Sequence, residues 1–419
     1  MAHPAVDPNS GPDTLCTTKQ MTHTSSIAVI GGGPAGLRAA ECAAAAGAEV
    51  IVFDGKPSVG RKFLVAGKGG LNLTHGETLE RFGGRYTGPD LPPGLWASLL
   101  DEFSPADLRA WAAELGVETF QASSGRVYPK ALKAAPLLRR WIARLKSLGV
   151  RFEMNHRMCG IEPGRPHRIA FENGNLAEAR AVILALGGAS WPQTGSDGQW
   201  TEWMKFPAMP IHALVAANCG WEHAWPEETL SIAEGKPLKN ISASAGEMHA
   251  YGELMVTRYG LEGGIIYQLG SALRSMDAPS IAIDFKPTFS REQLVAKMES
   301  VKRGFLQEAA LRWKLSDAAV AILARKPWND VASLAEEVKH CVIPLRGPRP
   351  IAEAISSAGG VCWKGMDESL MIRNFPGIFA AGEMIDWEAP TGGYLMQGCF
   401  ATGTRAGRNA AAWLGTTNC

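Results

Sequence analysis

Near the start of the chain, Ile27-Ala28-Val29-Ile30 runs straight into Gly31-Gly32-Gly33-Pro34-Ala35-Gly36, and an alanine-rich stretch follows as far as Gly47. A β-branched apolar run, a glycine turn and a helix in that order make the first half of a dinucleotide-binding βαβ unit. Each glycine has its own task. Gly31 permits the tight bend, Gly33 lets a pyrophosphate approach the backbone, and Gly36 lets the helix pack closely on the strand. The phosphates then sit at the helix N-terminus, behind Pro34, where free N–H groups and the positive end of the dipole face them. A second strand, Ala48 to Phe53, ends in Asp54, the position from which an acid accepts hydrogen bonds from ribose hydroxyls. A glycine-rich turn in an unrelated α/β protein has no need of strand, helix and terminal acid together.

Two later segments point to a flavin. Ala181 to Leu186 is a buried-strand run ending in Gly187-Gly188, and Gly377 to Ala381 is another, ending in Gly382-Glu383. Two-domain flavoproteins bring such strand ends back to the first unit, the later one placing an acid near the ribityl chain. Glu383 is the candidate, with Asp386 just behind it. The segment Pro390 to Gln397 then opens a final helix with Ala401, Gly403, Ala406 and Gly407. Its N-terminus can aim N–H groups at the flavin's pyrimidine edge, with Gly393 leaving room for the ring. The competing account is that these small residues only permit tight packing. There is no second GxGxxG unit and no CxxC pair. The expected cofactor is therefore a non-covalent FAD, and an NAD(P)H electron donor would dock directly over its ring.

Composition narrows the partners. Forty-two Lys and Arg against 41 Asp and Glu leave a net charge of +1, which gives no electrostatic reason to expect polyanion binding by the whole surface. The eight cysteines are scattered without metal-ligand spacing and read as reduced thiols of a cytoplasmic protein. Residues 1–26 are polar, rich in Pro, Thr and Ser, and read as a disordered leader, with Met21 as an alternative start. No apolar run approaches the ~18 residues of a membrane span.

At this point the motifs resemble a known family, the BaiN/RdsA-type (YhiN-like) bacterial NAD(P)/FAD-dependent oxidoreductases. The resemblance rests on GGGPAG at 31–36, GRKFLVAGKGGLNLTH at 60–75, GRVYP at 125–129 and LGGASWPQTGSDG at 186–198. It continues through GELMVTRYGLEGG at 252–264, AGGV at 358–361 and GIFAAGEMIDWEAPTGGYLMQGCFATG at 377–403. It implies an α/β fold: a Rossmann-like FAD domain, 27–197 with 346–415, split by a smaller β-rich insert at 198–345 that faces the substrate. It also implies FAD contacts from Ala35, Asp54, Arg61, Lys62, Met158, Glu383, Tyr394 and Leu395. Arg61 and Lys62 make physical sense as phosphate or ring-edge donors directly after Gly60. Many members carry Gly-Arg-Cys-Asn where this chain has Gly69-Gly70-Leu71-Asn72, so a cysteine proton donor beside the flavin is missing here. Activities associated with the family are reduction of activated C=C bonds, in steroid-like molecules and in a uracil of ribosomal RNA, and oxidation of small amines. The leading expectation is hydride transfer through flavin N5 to an activated C=C bond of a small molecule; a flavin-dependent oxidase of small amines and an RNA (uracil) reductase are the alternatives, with RNA the less favoured partner. A flavin-bound assembly protein without turnover is the expectation from a different class.

Other residues carry plainer readings. Asn72 follows a glycine loop that can approach the flavin closely, and Lys68 in that loop is either a solvated charge or a partner for an anion. Tyr259 and Glu262 lie in a turn of the insert that reads as a lip over the flavin, with Tyr259 a candidate proton donor, although a tyrosine in such a turn more often packs with its hydroxyl at the surface. His212, His223 and His249 show no ligand spacing and read as ordinary polar or core residues. Trp191, Trp200, Trp203, Trp221 and Trp225 read as core of the insert, with stacking on a planar ligand or a base as the alternative. The basic pairs Lys302-Arg303 and Arg346/Arg349 read as solvated charge.

Overall fold

The computed structural model describes residues 20–67, 69–204 and 209–416. It divides into two compact units, one running to Leu214 and resuming at Ala358, the other Val215–Ser357.

The first unit is built on a parallel sheet. Strand β1 (Gln20–Ile30) lies between β2 (Val50–Asp54) and the long strand Asn175–Leu184, with Arg151–Met154 beyond β2. All these pairings are parallel. The far edge of Asn175–Leu184 is shared: Leu176–Ala179 pair antiparallel with His167–Ala170, while Val182–Leu184 pair parallel with Ile378–Ala380. The strand after Gly377 thus returns to the sheet centre, as the apolar run predicts. Ile27, Ala28 and Val29 are fully buried, which is why this sheet reads as continuous hydrophobic runs rather than alternation.

The leader reading needs correction at its end. Residues 20–26 belong to β1, with Met21 opposite Leu176 and Ser25 opposite Ala179. The cause is the length of Asn175–Leu184, which offers pairing partners that the polar composition of the segment does not reveal. Residues 1–19 and Lys68 lie outside the described residues.

Helix α1 (Pro34–Ala45) packs between the sheet and the terminal helix Tyr394–Thr416. A Cβ on Gly403 would meet the Ala35 carbonyl, and one on Gly407 the Ala39 carbonyl. For these two residues tight packing is the role that the structure displays. On its other flank α1 carries Glu41, 3% exposed. Its carboxylate accepts the indole N–H of Trp111 at 3.0 Å and of Trp141 at 2.9 Å, and it pairs with Arg38 at 3.2 Å and Arg144 at 3.1 Å.

The second unit holds a six-stranded antiparallel sheet in the order Trp221–Glu222, Gly260–Glu262, Met248–Thr257, Pro237–Ala245, Ser280–Asp284, Cys341–Pro344. Its own apolar core includes Trp221 and Trp225, as expected, together with Leu254, Ile266 and Ile343. The expected insert boundaries at 198 and 345 shift to 215 and 357. Trp200 belongs to the core of the first unit and donates its indole N–H to the Gly187 carbonyl at 2.8 Å. At the other end, Arg349 stays with the second unit through Glu222 at 2.8 Å. No helix among the described residues is long and apolar enough to cross a membrane. Cys42, Cys159, Cys219, Cys341, Cys362 and Cys399 are free thiols.

The Glu41 carboxylate is buried and fully engaged, so removing it strands two indole N–H groups and takes one partner from each of two cations, Arg38 keeping Thr404 and Arg144 keeping Glu114. Glu41→Ala is expected to lower unfolding free energy by about 3–5 kcal/mol, measured by denaturant titration. A change under about 1 kcal/mol would mean that the cluster is not a structural anchor.

Candidate functional site: a dinucleotide cleft on the glycine turn

The turn after β1 is locked by backbone contacts. Gly31 N–H donates to Phe53 O at 2.8 Å, and Gly60 N–H donates to Gly32 O at 2.8 Å. Gly31 takes φ +108°, and a Cβ there would collide with the Ala185 carbonyl. A Cβ on Gly36 would collide with the Gly31 carbonyl. Gly33 differs, because a Cβ on it would meet no protein atom within 4 Å. Gly31 and Gly36 are therefore required by the fold, whereas Gly33 keeps open the space in front of α1. No side chain caps α1, so its first N–H groups are left for a ligand.

That space opens into a cleft at the end of the sheet. Gly31, Gly33, Pro34, Ala35, Asp54, Gly60, Arg61, Lys62, Met158, Gly187, Gly382 and Glu383 all line it. The Asp54 carboxylate is aimed by two backbone donors, Gly32 N–H at 2.9 Å and Lys56 N–H at 2.8 Å. Burial pushes its pKa above the usual carboxylate range, against the opposing pull of those same donors. Arg61 and Lys62 begin helix α2 (Arg61–Ala66), which Gly60 opens in the left-handed conformation. Lys62 donates to Ser190 Oγ at 2.5 Å and to Glu383 Oε2 at 2.8 Å, joining the first third of the chain to its C-terminal segment. Cys399 also faces the cleft, its thiol pushed up to about 12 by burial beside Glu383. It stays protonated at neutral pH.

The remaining expected residues lie outside the cleft lining. Gly188 is buried. The Asn72 carbonyl oxygen is buried without a hydrogen-bond partner. Gly393 packs against the Thr74 backbone, so a Cβ there would strike protein before any ring. Tyr394 stacks on His75 with ring centres 5.3 Å apart and donates its hydroxyl to Glu77 at 2.7 Å; Leu395 packs on the core. Asp386, 2% exposed, takes His212 Nδ1 at 2.5 Å.

Sequence reasoning missed several lining residues: Lys56, His156, Arg157, Ser196, Asp197, Trp200 and Trp203. Ser196 and Asp197 sit inside a motif already singled out, so that motif was the available signal. Trp200 and Trp203 belong to the cleft rather than to an insert core, because the chain stays with the first unit as far as Leu214.

An FAD fits this set. The buried Nε of Arg61 and Oγ of Ser196, both on the cleft lining, have no protein partner, and a buried polar atom without a partner costs roughly 1–3 kcal/mol until a ligand or water satisfies it. The open space at Gly33 admits a phosphate where only backbone would otherwise stand.

A family model described as HI0933-like protein Rossmann domain matches residues 25–409. The chain belongs to this family. A 3-dehydro-bile acid delta(4,6)-reductase of Clostridium scindens is 25% identical over 416 residues, covering 92% of this chain and 98% of that protein. A ribosomal RNA dihydrouridine synthase of Haemophilus influenzae is 24% identical, covering 91% of this chain and 97% of that one. Among solved structures, a 3-ketosteroid-delta4-(5alpha)-dehydrogenase from Rhodococcus jostii RHA1 aligns with a TM-score of 0.54 at 16% identity, covering 94% of this chain and 98% of that one. A 3-ketosteroid delta1-dehydrogenase from Sterolibacterium denitrificans aligns at 0.50 and 12% identity, covering 93% and 100%. These two likenesses establish a shared fold. With the family they bear out the α/β Rossmann expectation.

Gly33→Val is expected to give a folded protein that loses flavin at least about tenfold, roughly 1.4 kcal/mol, read as flavin absorbance per protein. Substitution of His223, in the second unit, leaves retention unchanged. Full retention in Gly33→Val would refute the placement of the phosphates.

Proposed function

We propose that the protein is an FAD-dependent oxidoreductase that passes a hydride through flavin N5 to an activated C=C bond of a small molecule, with NAD(P)H as electron donor. The observation that carries this reading is the single cleft joining the glycine turn, Asp54, Lys62 and Glu383. Bound there, the flavin supplies the hydride chemistry, accepting two electrons from one partner and passing them to another.

The protein's own part is binding, orientation and electrostatics. The uncapped start of α1 at Gly33 to Ala35 holds the pyrophosphate, Asp54 the adenosine ribose, and the strand at Met158 passes the adenine. Lys62 and Glu383 serve the ribityl chain and ring edge, with Arg61 as a further cationic donor. Asn72 and the Gly393-Tyr394-Leu395 start of the terminal helix mark the ring end. The Tyr394 hydroxyl is committed to Glu77, so its contribution there is backbone N–H rather than phenol.

The name of the bile-acid relative supports a C=C reduction, and the name of the ribosomal RNA relative keeps an RNA substrate as the second reading. Charge favours the small molecule. The chain's net charge is +1, which gives its surface no overall attraction for phosphates.

Anaerobic mixing of the purified protein with NADH or NADPH is expected to bleach the flavin, with slow return of colour when oxygen is admitted. No bleaching by either nicotinamide, together with fast peroxide formation on small amines, would replace the reductase by an oxidase.

A further inference from the structure

None of the residues of the AGGV motif at 358–361 lines the cleft, and its glycines serve a different junction. Gly359 takes φ +89°, and a Cβ there would strike the Ala213 carbonyl; Gly360 takes φ +121°, and a Cβ there would strike the Met384 carbonyl. The motif is thus squeezed between two other stretches of the first unit, residues 210–213 and 384–386. Backbone hydrogen bonds lock the three together. Cys362 N–H donates to Pro210 O at 2.9 Å, and Asp386 N–H donates to Val361 O at 2.9 Å.

Each stretch contributes one side chain with a metal-binding atom to this junction. A ring nitrogen of His212, the Cys362 thiol and a carboxylate oxygen of Asp386 lie within 4.8 Å of one another. His212 Nδ1 is 2.5 Å from Asp386 Oδ2, and Asp386 Oδ1 accepts the Gly359 N–H at 3.1 Å. The thiol takes a backbone hydrogen bond from His212. Outer hydrogen bonds of this kind orient ligating groups in metal sites. Asp386 is 2% exposed and Cys362 fully buried, and among the described residues no lysine or arginine pairs with Asp386; its ion pair is with His212. A histidine–aspartate pair accounts for two of the three groups. The buried thiol, brought in by a third stretch with its own backbone donor, turns the pair into a ligand set.

We propose that His212, Cys362 and Asp386 form a binding site for a zinc-class divalent cation, with water in the fourth position. One imidazole nitrogen, one thiolate sulfur and one carboxylate oxygen are donors that Zn²⁺ takes in tetrahedral geometry. A divalent cation with one carboxylate and one thiolate is also neutral overall, as two ionised groups held out of water require. Ligand atoms around zinc stand about 3.3–3.8 Å apart, so seating the ion widens the His212–Asp386 contact. The imidazole can yield outward, because its side chain is 41% exposed. The ion displaces the thiol proton and the proton shared by Nδ1 and Oδ2. Bound, it staples the three stretches and stabilises the folded chain. The site stands apart from the hydride chemistry proposed above, and because its ligands are at 212, 362 and 386, no spacing motif reveals it.

The test uses untagged holoenzyme treated with EDTA, then titrated with zinc sulfate. Metal per chain is measured by mass spectrometry after desalting, and the ligands by X-ray absorption at the zinc edge. Wild type and His249→Ala, which removes an exposed histidine of the second unit, are expected to hold one zinc per chain with a sulfur neighbour, and to unfold at a higher temperature with zinc than without. Cys362→Ser and His212→Gln, each checked for folding by circular dichroism, are expected to bind zinc at least about tenfold more weakly, since losing even an outer partner of a ligand costs roughly 10–100-fold. His212→Gln changes the most exposed ligand, so the fold is least at risk there. No zinc retained by wild type, a zinc edge without sulfur, or affinity in either variant equal to that of wild type overturns the proposal.

Discussion

The first unit depends on backbones lying closer together than any side chain would allow. Gly36 sets α1 against the Gly31 carbonyl, Gly31 sets the turn against Ala185, and Gly403 and Gly407 set the terminal helix against α1. Three stretches of chain, separated by more than a hundred residues each, meet at van der Waals distance around one helix. That closeness fixes the end of α1 in front of the cleft and brings Glu383 to Lys62. Substituting these glycines would force the elements apart, and the cleft would widen with them. Gly33 is spared this constraint, because a Cβ on it would meet no protein atom within 4 Å.

Much of the frame was legible in the sequence because it is written in local pattern. The apolar runs at Ile27, Val50, Ala181 and Ile378 became parallel neighbours in one sheet, and the glycine spacing at Gly31 to Gly36 predicted which backbones would touch. The cleft residues nearest that turn were legible for the same reason. What stayed hidden depends on where distant chain returns. Trp200 looks like any core tryptophan until the strand boundary shows it beside Gly187. Glu41 looks like a surface helix residue, yet it is buried by Trp111 and Trp141 from two later helices. His212 has no metal-like or catalytic spacing, and only the return of the chain at Asp386 gives it a partner. Tyr259 was expected with its hydroxyl at the surface; instead Tyr259 and Tyr267 both donate to Glu262.

Charge is used sparingly and in pairs. Lys62 with Glu383, Arg157 with Asp197 at 2.6 Å, and Tyr394 with Glu77 and Arg85 each hold a segment at or near the site. Partly buried pairs of this kind are worth more as orienting devices than as stability. Lys62 is held by Ser190 and Glu383 together. The family relatives named for a bile acid and for ribosomal RNA show how one such frame serves unlike substrates, with chemistry set by the groups around the ring.

The central claim is that this cleft was shaped for a whole flavin adenine dinucleotide, with its adenosine half on Asp54 and its pyrophosphate over Gly33. Heat release of the flavin from purified protein, followed by chromatographic identification and protein assay, measures that directly. The account predicts FAD at one per chain. FMN alone, or no flavin even after incubation with FAD, would contradict it.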